Sequence, residues 1–133
     1  MTAPAPESAT TLLVIAKQPV PGRVKTRLVP PCTHDQAASL AEAALTDTLH
    51  AVLRVPARRR VLVLEGRPGP WLPAGFDVVP QCGGPLDERL AGAFAGVRGP
   101  ALLIGMDTPQ VTPGLLTVDW QAADAVFGLA LAA

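Results

Sequence analysis

TLLVIAKQPVPGRVKTRL, residues 11–28, joins two unlike halves. The first, Thr11 to Lys17, is a continuous apolar run rich in β-branched residues, the pattern of a strand covered on both faces and so central in a sheet. The second sets Lys17, Arg23, Lys25 and Arg27 among Pro19, Pro21 and Gly22. With Pro30 and Pro31, these prolines deny regular structure to the segment from Gln18 to Cys32 and hold it as a stiff loop.

Outward from this stretch the pattern alternates. Thr33 and Gln36 have capping-box spacing, and Leu40, Ala44, Leu45, Thr48, Leu49, Val52 and Leu53 make one stripe, which predicts a helix over about 34–54. RVLVLEG (60–66) and FDVVP (76–80) read as strands separated by a Pro/Gly loop around Trp71. Pro85 opens a second helix whose Leu86, Leu90, Ala93, Phe94 and Val97 share a face, closed by Gly99. ALLIGMD (101–107) is another doubly buried strand. Thr112 and Pro113 then open a short helix toward Trp120, and a last strand runs from about 125 to 131. The order β, α, β, β, α, β, α, β predicts an α/β fold, a three-layer α/β/α arrangement with a mostly parallel, Rossmann-like sheet. Residues 1–10, Pro, Ala, Ser and Thr with one charge, read as a tail.

The 133 residues suit one domain, and 49% hydrophobic with 4% aromatic residues means a core of Ala, Val and Leu. Eleven basic and eleven acidic side chains cancel. No general field therefore draws in nucleic acid or an anionic membrane, and any phosphate recognition must be local. Cys32 and Cys82 lack zinc or disulfide spacing and read as reduced thiols. No stretch reads as a signal peptide or a membrane span, so a cytoplasmic location is expected.

In open α/β sheets ligands bind beyond the carboxyl ends of the strands. Two segments qualify. The loop after the first strand offers Lys17, Arg23, Lys25 and Arg27 as charge-assisted donors, with Gly22 admitting a close backbone approach. GMDTP ends the fourth strand on Asp107, whose carboxylate reads either as a ligand at the same edge or as a cap of its own turn. GRVKT is no Walker A motif, because its glycine stands three residues before Lys25 and prolines delay the helix that would receive phosphates. Arg58, Arg59 and Arg60 precede a strand without interleaved aromatics and read as a solvated strand entry. His34 and His50 read as surface residues. QCGGPLDERL leads into a helix with Gln81 and Arg89 as further candidates, while Asp87 and Glu88 read either as first-turn charges that complement the helix dipole or as part of a site.

Taken together, AKQPVPGRVKTRL and GPALLIGMDTPQVTPGLL resemble the bacterial glycosyltransferase-like proteins of the radical-SAM and selenodomain-associated transferase type, within the wider GT-A fold of nucleotide-diphospho-sugar transferases, beside the guanylyltransferases of molybdopterin and phospholactate chemistry. The resemblance covers roughly residues 11–133. It implies a strand order near 3-2-1-4, Lys25 and Arg27 on the donor's phosphates, and Asp107 as both catalytic carboxylate and ligand of a divalent Mg²⁺ or Mn²⁺. The implied partner is a nucleotide-sugar or other nucleotide-activated small molecule, with glycosyl and nucleotidyl transfer both open. The family continues past the last strand into an Asp-Gly-Gly-aromatic motif, so the domain is expected to be incomplete at its C-terminus. Two other readings compete: a non-catalytic remnant that binds a nucleotide or a protein through its open sheet edge, and an RNA-binding domain, against which the zero net charge speaks.

Overall fold

The computed structural model describes residues 10–106 with the exception of residue 98. Four strands, β1 (Thr11–Lys17), β2 (Arg59–Glu65), β3 (Asp77–Pro80) and β4 (Ala101–Gly105), form one sheet in the order β3-β2-β1-β4. Every pairing is parallel. Val14 stands level with Leu62 on one side and Ile104 on the other, so the apolar run of β1 occupies the middle of the sheet as its composition requires. The expected order of the four strands is the observed one, and the architecture is α/β and Rossmann-like.

Alternate β1 residues face opposite layers. Leu12, Val14 and Ala16 pack with Leu62, Leu64 and Ile104 beneath Leu45, Leu49 and Val52 of α1 (His34–Leu53). Leu13, Val61 and Val63 face the other way, toward Ala93 of α2 (Leu86–Phe94) and Val97 beyond it. Thr10, expected as the end of a tail, is buried, and its carbonyl accepts the Arg58 amide.

α1 begins as its sequence dictates. The Thr33 hydroxyl accepts the Gln36 amide at 3.1 Å, and the Gln36 side chain accepts the Thr33 amide at 2.9 Å. Thr33→Ala is expected to cost about 1 kcal/mol in urea unfolding without melting the helix, whose buried face is intact.

Four expectations need correction. The proline loop contains a single 3-10 turn at Thr26–Leu28, because no proline falls between Pro21 and Pro30. Leu40 is 50% exposed, whereas Ala37, Ala38 and Ala41 are buried. The loop after β1 inserts Val24 against Ala38 and Ala41, and only small side chains leave room for that approach. Phe94, expected on one face with Ala93 and Val97 in a helix closed by Gly99, is exposed at the end of an α2 that stops well before Gly99.

The arginine run is no merely solvated entry. The Arg59 Nε donates to Asp77 Oδ2 at 2.7 Å, clipping β2 to β3. The Arg60 guanidinium donates to the carbonyls of Val52, Leu53 and Val55, closing the C-terminus of α1 with a cation where the helix dipole favours one. β4 ends at Gly105; Asp107, the helix from Thr112 and the strand at 125–131 lie outside the described residues.

Candidate functional site

The chain leaves β1 for α1 and returns on one side, as β2, while β4 reaches the other side only after β3 and α2. The crevice between the carboxyl ends of β1 and β4 is therefore the topological switch point, where ligands of such sheets bind. A cavity of about 260 Å³ opens there. Lys17 from the end of β1, Arg23, Lys25, Thr26 and Arg27 from the following loop, and Met106 after β4 line it. The four cations expected to act together are thus brought together.

The loop is held by several independent contacts. Val24 is buried and anchors it to α1 between flanking basic residues. Backbone bonds from Val20 to the Gln18 carbonyl, from Arg23 to Val20 and from Leu28 to Lys25 fold it on itself. The Gln18 amide donates to the Glu65 carbonyl, and the Gln18 side chain accepts the Arg67 amide, so the loops after β1 and β2 are tied together. That tie requires glycine at 66, where φ is +115° and a Cβ would meet the Gln18 side chain at 2.6 Å.

Lys25 adopts a left-handed backbone, φ 49° and ψ 36°. For a residue with a Cβ this costs about 1–2 kcal/mol, and such strain concentrates where a side chain or an amide must be aimed. Nothing in the spelling RVKTR signals it. Gly22, with φ +84°, provides the bend that precedes it. The Lys17 ammonium lies 3.9 Å from Glu65 Oε2, but both side chains are about half exposed, so the pair is weak and leaves Lys17 available to an anion.

Gln81 and Arg89 do not line this cavity. They form a separate pair beside it: Arg89 Nη1 donates to Gln81 Oε1 at 3.1 Å, while Gln81 donates its backbone amide to Leu64 and its side-chain amide toward the Ala16 carbonyl. The pair joins α2 to the ends of β1 and β2, one residue short of Lys17. The Arg89 Nε is buried and lacks a partner. Among the described residues no group of three or more His, Cys, Asp or Glu side chains could hold a metal ion, and Asp107, the expected ligand, lies outside them. Cys32 and Cys82 are free thiols, and among the described residues no helix is long and apolar enough to cross a membrane.

Residues 38–131 match the family described as an uncharacterized protein conserved in bacteria, DUF2064. The chain belongs to this family. The matched stretch starts inside α1 and runs through β2, β3, α2 and β4, and includes neither β1 nor the basic loop. No curated relative matches the chain. Among solved structures, the chain is similar to a protein of Desulfovibrio desulfuricans G20 provisionally named a nucleotide-diphospho-sugar transferase, at 27% identity and a TM-score of 0.68. The likeness covers 80% of this chain and 51% of the other, so the chain spans about half the length of that neighbour. A nucleotide-sugar-transferase-like fold follows.

Proposed function

We propose that this chain is the donor-binding part of a glycosyltransferase-like or nucleotidyltransferase-like protein, taking the phosphates of a nucleotide-activated small molecule between Arg23, Lys25, Arg27 and Lys17. One observation carries the reading: four cations from β1 and one loop converge on the switch-point cavity. Its 260 Å³ fall below the roughly 300–1,000 Å³ of a site that encloses a whole drug-sized ligand. The space suits the charged end of a ligand whose remainder extends along the sheet edge. Arginine and lysine together suit phosphate, the first by its fork of donors and the second as a point charge.

An Mg²⁺ or Mn²⁺ ion at Asp107 belongs to the proposal, as do radical-SAM-type kinship and a cytoplasmic setting. Asp107 would hold such an ion, whose charge would help neutralise a leaving diphosphate. The chain's own cations would hold and orient the donor, with or without that ion.

Titration calorimetry with uridine and guanosine diphosphates, each with and without Mn²⁺, tests the reading. Saturable binding that displaces inorganic pyrophosphate is expected. Failure of every nucleotide and of pyrophosphate to bind would refute it. Binding without turnover of any donor sugar would leave the second reading, a nucleotide-binding module without catalysis.

A further inference from the structure

We propose that Thr48, in the middle of α1, is a positioning residue of the basic cleft, an inference that rests on the donor-binding reading above. By sequence Thr48 is one member of an apolar helix stripe, and valine would fill the same volume. Its hydroxyl is nevertheless wholly shut off from water, with 0% exposure. Burying a hydroxyl costs free energy unless it is bonded. The Thr48 Oγ1 lies 2.8 Å from the Ala44 carbonyl in the preceding turn and 3.3 Å from the carbonyl of Met106.

The one hydroxyl proton is shared between the two carbonyls as a three-centre bond, with Ala44 the nearer acceptor, and the two differ in consequence. Ala44 already has the helical amide four residues on as its donor, so the first contact changes little outside α1. The second crosses from α1 to the chain as it leaves β4. Met106 lines the cation cavity, its sulfur faces the Lys17 amide at 3.3 Å, and the next residue in sequence is Asp107.

α1 therefore sets both walls of the cleft. On one side Ala38 and Ala41 seat Val24 and with it the loop carrying Arg23, Lys25 and Arg27. On the other, Thr48 holds the main chain that follows β4. A single rigid helix gauges the distance between cations and strand exit, and removing the hydroxyl releases one wall while leaving the packing in place.

Thr48→Val and Thr48→Ser separate this role from simple packing. Two readouts apply: affinity for uridine and guanosine diphosphates by calorimetry, and the methyl resonance of ¹³C-labelled Met106. Met1 and Met106 are the two methionines, so loss of a signal in Met106→Leu assigns it. In Thr48→Val the Met106 methyl signal should shift or broaden and nucleotide affinity should fall about tenfold, with the urea midpoint little changed; Thr48→Ser should restore both. A Met106 methyl signal unchanged in Thr48→Val overturns the proposal even if the parent protein binds no nucleotide, the outcome that would separately sink the donor-binding reading. Parent-like affinity in Thr48→Val also overturns it, as does a loss explained entirely by a lower folded fraction.

Discussion

Leu49→Ala is expected to lower the free energy of unfolding by about 2–5 kcal/mol, with the urea midpoint falling and the slope unchanged. Leu49 is fully buried in the cluster that joins α1 to Val14, Leu62 and Ile104 across three strands. Rigid neighbours on the sheet side cannot close over the lost side chain, so a cavity term adds to the lost transfer energy. Leu40→Ala, on the same helix, should change stability by less than about 0.5 kcal/mol, because half of Leu40 is already in solvent. Equal losses in the two variants would mean that the α1 face is assigned wrongly.

Lys25→Ala and Arg27→Ala are each expected to weaken binding of a diphosphate by about 1.5–3 kcal/mol, a tenfold loss or more in Kd. The double variant should lose roughly the product, less any coupling between residues only two apart. Stability should scarcely move, since Arg27 is exposed and the loop is anchored through Val24. Arg54→Ala, an equal loss of charge outside the cavity, is the control. Calorimetry that finds Arg54→Ala as damaging as Arg27→Ala would reduce the cleft to a nonspecific charge effect.

The parallel sheet and the central place of β1 were legible because Thr11–Lys17 is apolar enough to need cover on both faces and because parallel strands demand long crossovers, whereas the strand order came only from the family resemblance. The N-terminus of α1 was legible because Thr33 and Gln36 act within four residues of each other. Leu40 misled because hydropathy ranks leucine above alanine, whereas the loop's approach through Val24 selects the smaller side chain. Phe94 misled for a related reason: a helical pattern assigns a face, but the length of α2 determines whether that face meets the sheet.

Within the candidate site, the cations were visible as a cluster in sequence and their convergence followed from the strand order. The strained Lys25 backbone, the Arg60 cap and the Thr48 bridge were not visible. The first depends on a backbone conformation, the second on how the chain turns back from α1 into β2, and the third on a partner 58 positions away in sequence.

The register of β1 also bears on how the chain assembles. Thr11 pairs with Ala101, ninety positions later, and among the described residues no two neighbouring strands form a hairpin. At a translation rate of 5–20 residues per second, roughly 5–20 s separate synthesis of β1 from that of its β4 neighbour. Throughout that interval the LLVIA segment of a nascent chain presents at least one unpaired, strongly apolar edge, the kind of template on which strands of other molecules add. Yield in a cell is therefore expected to depend on chaperone supply and growth temperature more steeply than the stability of the finished fold would suggest.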